Sequence, residues 1–168
     1  MNTGKTAVLL LLCCIVFSGC IGGGRPQARL REGKSLQDIV LEAEDEFEIS
    51  MAAPVDERAL KELFHILPED AAEYAGAYSM SFTSADNLLV VRAKPGRGER
   101  VRKGLEQRRE EVLRNFEASL PEQYRKAEAG KVGSLGDYWF LILLGDPEKD
   151  AREEADRAWE MVRANFTA

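Results

Sequence analysis

The chain has 168 residues, 45% hydrophobic and 31% charged, with 23 basic and 29 acidic side chains and a formal charge of −6. That length suits one globular domain, and the acidic balance removes the electrostatic case for a nucleic-acid partner. Three cysteines and one histidine leave little from which to build a disulfide framework or a transition-metal site.

Near the start, Lys5 precedes an apolar run from Ala7 to Phe17, and the small pair Ser18-Gly19 then stands immediately before Cys20. A bilayer core of about 30 Å takes about 20 apolar residues as a helix, so this run is too short to span and matches the apolar centre of an export signal. Phe17-Ser18-Gly19-Cys20 has the form of a lipobox, with small residues beside the bond to be cut and a cysteine whose sulfur takes up diacylglycerol; Phe17 stands where leucine is usual. The expected division is a lipoprotein signal peptide over 1–19, then a lipidated Cys20 that holds the mature protein on the extracytoplasmic face of the cell membrane. Each buried CH₂ of the acyl chains contributes about 0.8 kcal/mol to that attachment. A secreted protein cut elsewhere is the alternative.

Cys13 and Cys14 fall in the segment to be removed, which leaves Cys20 as the one mature cysteine, its sulfur consumed by lipid. A thiol nucleophile and a cysteine metal site are then excluded with the disulfides. Removal takes Lys5 from the 23 bases and none of the 29 acids, so the mature charge becomes −7.

From Cys20 to Lys34 the chain is rich in Gly, Arg and Pro without apolar periodicity, which predicts a flexible tether over 20–34 ahead of a single α+β domain over 35–168. Gly33-Lys34-Ser35 ends like a phosphate-binding loop, but the glycine required five positions earlier is Ala28.

Ser35 with Asp38 opens a helix as a capping box, carrying Leu36, Ile39, Val40, Ala43 and Phe47 at helical spacing. A shorter helix is predicted from Asp56, burying Leu60, Leu63 and Phe64 and stopped by Pro68. Beyond it the pattern recurs. A strand near Tyr74–Phe82, a turn at Ser84-Ala85-Asp86-Asn87, a strand over Leu88–Ala93 and a long helix after Pro95-Gly96 are followed by a comparable series. The second series is a strand near Lys126–Val132, a turn at 134–137, a strand over Tyr138–Leu144 and a helix capped by Asp146-Pro147. Offsets of 53, 51 and 52 residues separate the Pro-Glu pairs, the turn aspartates and the later prolines. The helices carry Val101, Leu105, Val112, Phe116 and Leu120 in one case and Ala151, Ala155, Trp159, Val162 and Phe166 in the other. The predicted fold class is α+β: a four-stranded antiparallel sheet from two ββα units, with additional N-terminal helices.

Tyr138–Leu144, YWFLILL, is apolar at every position. A half-exposed antiparallel strand would alternate, so both sheet faces should be covered here, by the repeat helices on one side and the leading helices on the other. A face left uncovered would be a partner site.

Candidate chemistry is sparse. His65, between Phe64 and Ile66, reads first as a cap interacting with the helix dipole and second as a catalytic or metal-binding group. Glu42, Glu44, Asp45, Glu46 and Glu48 lack the oxygen and glycine pattern of a calcium loop and read as a solvated face. Between Arg92 and Arg114, nine bases stand against four acids. Arg97, Arg100, Arg102, Lys103, Arg108 and Arg109 are the candidate binding patch for anionic lipid or polymer, weighed against a charged helix face laced with pairs to Glu106 and Glu110. No G-x-S-x-G elbow or S-x-x-K pair places a base beside a serine.

Arg108, Phe116, Leu120-Pro121-Glu122-Gln123-Tyr124 and Gly136-Asp137-Tyr138 leading an apolar strand, together with the Tyr74–Ala93 strand pair and the lipobox, resemble the domain-of-unknown-function family DUF4358, found as bacterial lipoproteins. The similarity spans roughly Leu60 to Phe166. It implies an exported, lipid-anchored domain with no assigned activity and no catalytic residues to carry over.

The functional expectation is a non-enzymatic envelope lipoprotein that binds the membrane through the lipid on Cys20 and recognises an envelope protein or an anionic polymer. No catalytic residue, metal, cofactor or nucleic acid is expected. A carrier of a small molecule, lipid or ion, built around Trp139 and Trp159, is the alternative, and an envelope hydrolase is the weakest.

Overall fold

The structure is a computed structural model that describes residues 28–167. The expected signal peptide and Cys20 lie outside the described residues. The chain enters at Ala28 and forms β1 (Arg29–Leu30) before α1 (Leu36–Phe47). Helix α1 starts as its capping box dictates: Ser35 Oγ accepts from Asp38 N, and the Asp38 carboxylate accepts from Ser35 N at 2.7 Å. Its buried stripe is Leu36, Ile39, Val40 and Ala43. A short β2 (Ala52–Pro54) follows, and α2 (Glu57–Glu62) is capped by the Asp56 carboxylate accepting from Ala59 N at 2.7 Å.

A 3₁₀ turn at Pro68–Asp70 leads into β3 (Ala71–Ser79) and β4 (Asn87–Ala93), then α3 (Gly98–Phe116). Next come α4 (Pro121–Ala129), β5 (Lys131–Leu135), β6 (Tyr138–Leu143), α5 (Ala151–Ala164) and β7 (Phe166–Thr167). The main sheet is antiparallel throughout, in the order β2-β3-β4-β6-β5, and β1 pairs with β7 in a separate ribbon.

The mixed α+β class holds, with five strands in the sheet where four were predicted. The fifth is β2, which the leading segment contributes at the edge by pairing Ala52 with Ser79 and Pro54 with Ala77. The second unit also differs. Lys126, expected in a strand, lies in α4, and β5 starts only at Lys131, so the turn shrinks to Gly136-Asp137 with Gly136 at φ 58. Two-residue hairpins need such left-handed geometry, which glycine adopts without strain. Helix α5 is capped by Asp150, which accepts from Arg152 N and Glu153 N, whereas Asp146 accepts from Glu148 N in a local turn. Phe166 has left the helix for β7.

Strand β6 divides the core as its unbroken apolar sequence requires. Leu141 and Leu143 join Leu89, Val91, Leu60, Phe64, Val101, Leu105 and Phe116 on one face; Phe140 and Ile142 join Leu88, Val90, Ile39, Val40, Ala158 and Val162 on the other. Both faces are covered, with a different division of helices from that expected. Helices α2, α3 and α4 share one face, and α1 and α5 share the other. A two-fold axis exchanging the antiparallel neighbours β4 and β6 would stand perpendicular to the sheet and leave α3 and α5 on one face, so the similar layout of the two units is not a rotational duplication. Trp139 and Trp159 pack against these clusters, Trp159 edge-on to Phe140 at 5.6 Å.

The segment expected as tether is pinned over its last residues. Arg31 N donates to Asn165 O at 2.9 Å, Thr167 Oγ1 donates to Arg29 O at 3.3 Å, and Ala28 lies against Gly136. These backbone bonds satisfy groups that a free tether would leave to water.

Candidate functional site

Central strands β4 and β6 run antiparallel from Asn87 opposite Leu143 to Arg92 opposite Tyr138, which gives the sheet two distinct ends. The Gly136 hairpin and Ala28 lie at the Arg92 end. The 80–86 connection, the last turn of α3 and most of the polar side chains buried beside the sheet lie at the other, roughly 20 Å away at about 3.4 Å per strand residue.

At this second end a polar network holds the connection in place. Lys126 Nζ donates to Asp86 Oδ1 at 2.6 Å, both side chains being nearly inaccessible, and Ser84 Oγ donates to the other carboxylate oxygen at 2.5 Å. Gln123 Oε1 accepts from Ala85 N at 2.9 Å, and Asn87 Nδ2 donates to Ala85 O at 3.0 Å. Asn87 Oδ1 then accepts from Arg108 Nε at 3.0 Å, joining α3 to the network. The loop's outer side is apolar and open: Phe82 is 98% exposed, with Met80 and Met51 also exposed beside the edge strand.

Two clefts flank this loop. One, of about 490 Å³, lies toward α1 and α5 and balances Glu46, Glu48, Asp86 and Asp146 against Lys126, Lys149 and Arg157. The other, of about 460 Å³, lies toward α3 between Ser79, Met80, Ser81, Phe82 and Ser84 on one side and Asn87, Arg108, Val112, Asn115 and Phe116 on the other. Arg108 is its one charged lining residue. A larger groove of about 640 Å³ between α4 and the start of α5 is lined by exposed charged side chains and holds no buried one, so it has less to orient a ligand.

Residues 45–144 match the model of the family described as Domain of unknown function (DUF4358). The chain belongs to this family. No curated protein and no solved structure gives a significant match. The DUF4358 region runs from the end of α1 through β6, starting earlier and stopping sooner than the expected Leu60 to Phe166. It contains the whole Asp86–Lys126–Arg108 network; α5 and the β1–β7 ribbon lie beyond it.

Within the DUF4358 region, the six bases proposed as one patch go to different places. Arg97 and Arg100 approach the buried Asp70 carboxylate at 3.3 and 3.7 Å. Arg102 is held between Glu99 and Glu106. Arg109 Nε donates to Ala127 O at 3.2 Å, tying α3 to α4. Lys103 is exposed, and Arg108 faces the 460 Å³ cleft with its guanidinium 5.6 Å from the Phe64 ring centre. Burial pulls the Arg108 pKa below its ordinary value. The stripe is thus mostly consumed in pairing; Arg109 also borders a groove of about 410 Å³ beside Trp159, and Arg108 is the member that reaches the cleft beside Phe82.

His65 does not cap α2, which ends earlier; it sits at φ 55 and places Nε2 2.8 Å from Glu111 Oε1 on α3. Burial pushes the Glu111 carboxyl up, but bonds from His65 and Gln107 outweigh it and leave the group below its usual range. In the acidic stretch Glu42 is engaged by Lys34 and by Asn165 Nδ2, and among the described residues no group of three or more His, Cys, Asp or Glu side chains is placed to hold a metal. Sequence reasoning named Asp86 only as a turn residue and missed Lys126 as its partner and Gln123 as the partner of Ala85 N. Ser-Ala-Asp-Asn was the readable sign of the turn, but nothing local announces partners some forty residues away.

Proposed function

We propose that this DUF4358 protein is a lipid-anchored recognition module of the cell envelope, without catalytic function. The observation that carries the reading is the separation of the two ends of the sheet. The lipobox closes at Cys20, eight residues before the described chain enters at Ala28 beside the Gly136 hairpin. The clefts of about 490 and 460 Å³ and the exposed Phe82 lie at the far end, where an anchored domain would present them away from the bilayer. Among the described residues no helix is long and apolar enough to cross a membrane, so attachment would rest on the acyl chains.

The absence of a nucleophile and base constellation in the sequence supports recognition over bond-making, and the flanking clefts offer surface for it. The carrier alternative has a groove of about 410 Å³ at Trp159, lined also by Glu106, Arg109, Lys131, Val132 and Gly133, but none of its charged lining residues is buried to orient a cargo.

Expression of the wild type and Cys20→Ser in a bacterial host, followed by fractionation and intact-mass measurement, tests the anchor. Wild type is expected in the membrane fraction, starting at Cys20 with the mass of added acyl chains, and Cys20→Ser is expected to remain unprocessed and unacylated. An unprocessed, lipid-free wild-type polypeptide in the cytosol would overturn the proposal.

A further inference from the structure

Arg108 is fixed by two attachments that leave its outer nitrogens without a partner among the described residues. Its Nε is bonded to Asn87 and its guanidinium plane rests over Phe64, which sets the direction of the fork before any ligand arrives. No carboxylate of the described chain pairs with it; Glu111, the nearest in its field, is engaged by His65 at 2.8 Å. A chain with 29 acids therefore puts none on the wall of this cleft. Partly desolvated charge without a counter-charge is costly to keep, and the cleft's own hydroxyls do not offset it. Ser79 donates to Ser50 O, Ser81 is bonded to Thr83, and Ser84 donates to Asp86.

The geometry points to a ligand that supplies the missing anion. We propose that this cleft binds a monocarboxylate bearing an apolar group: the carboxylate accepts two parallel bonds from Arg108, and the apolar group lies between Phe116 and the exposed ring of Phe82. A planar guanidinium matches a planar carboxylate in that manner. A phosphate dianion is disfavoured, because a single arginine lines the cleft and the facing serine hydroxyls are already engaged within the chain, while Met80, Phe82, Val112 and Phe116 supply apolar surface. The inference gives a ligand class to the recognition reading and rests on that reading for its biological sense. Binding by the purified full chain tests it whether or not Cys20 carries lipid, so failure of the anchor and failure of the ligand class are read separately.

The experiment is an NMR titration of the full chain, following the Arg108 Nε–H and Asn115 side-chain signals, with phenylpropionate, N-acetyl-Leu-Phe and the amides of both. Saturable shifts are expected with the acids and not with the amides. Tighter binding of the peptide acid would assign the ligand to a protein C-terminus, and equal binding would assign it to free acids. Arg108→Gln and Arg108→Lys should each weaken binding roughly ten- to hundredfold, the second because it keeps the charge and loses the fork. Phe82→Ser, at a position too exposed to affect folding, should weaken binding while leaving the acid-over-amide preference intact. Equal shifts from acids and amides, or no saturable shift from either acid, would overturn the proposal, and that comparison in the wild type holds even if an Arg108 variant fails to fold.

Discussion

Asp86 and Lys126 meet at 2.6 Å with side chains only 7% and 6% exposed, and each depends on the other to be tolerated there. Removing one partner leaves a buried charge unpaired, which typically costs 3–5 kcal/mol, whereas replacing both by apolar groups costs much less. Asp86→Ala is accordingly expected to lower stability by about 3–5 kcal/mol in urea unfolding, and Asp86→Ala with Lys126→Met to recover most of it. Equal losses in the single and double variants would show that the pair is not coupled. The contrast with Ser35 and Asp38 explains what the sequence could reveal at this scale. A capping box spans three residues and is written in adjacent letters; the Asp86 pair spans forty and exists only after α4 has packed on the sheet. The two aspartates near α5 show the same limit. Asp146 and Asp150 are both plausible caps, and the choice is made by Gly145 at φ 134, whose turn packs on Glu154 and aims Asp146 N at Glu154 Oε2.

Strand β6 was legible as an element because a continuous apolar run constrains both faces whatever covers them. Helix α4 was not. Tyr124 and Ala127 give too short an apolar stripe to announce it, and Pro121 at its first position with Glu122 in the first turn was the sign to read. Which face each helix covers was also hidden, since helical periodicity gives a buried stripe without saying on which side of the sheet it lies. Helix α3 crosses the 64–66 segment at Gly104, where an added Cβ would come 2.6 Å from Phe64 O and 2.9 Å from His65 O. Alanine is the better helix former by about 1 kcal/mol, yet here the contacts are backbone atoms that cannot swing aside. Gly104→Ala should therefore destabilise the protein by about 1–3 kcal/mol, the usual cost of overpacking, as read from its thermal midpoint. A raised midpoint would show that α3 can move outward freely.

At the scale of the whole molecule, the sheet separates the end where the described chain enters from the end that carries the Asp86 network, and the proposed function assigns tethering to the first and recognition to the second. Pinning of 28–31 onto β7 and the Gly136 hairpin fixes where the chain leaves the folded body, and the polar network around Asp86 fixes the loop at the opposite end. The class of fold could be read from the sequence because it is a pattern along the chain. The site could not, because its parts come from β4, α3 and α4 and meet only at one end of the sheet. Proximity to lipid tests this arrangement most directly. With Cys20 acylated, single cysteines introduced as Ser134→Cys and Phe82→Cys can carry a fluorophore, and energy transfer to headgroup-labelled lipid can be compared in proteoliposomes of the full mature chain. Strong transfer from position 134 and weak transfer from position 82 is the expected result; transfer from 82 equal to or greater than that from 134, or none from either, would contradict it.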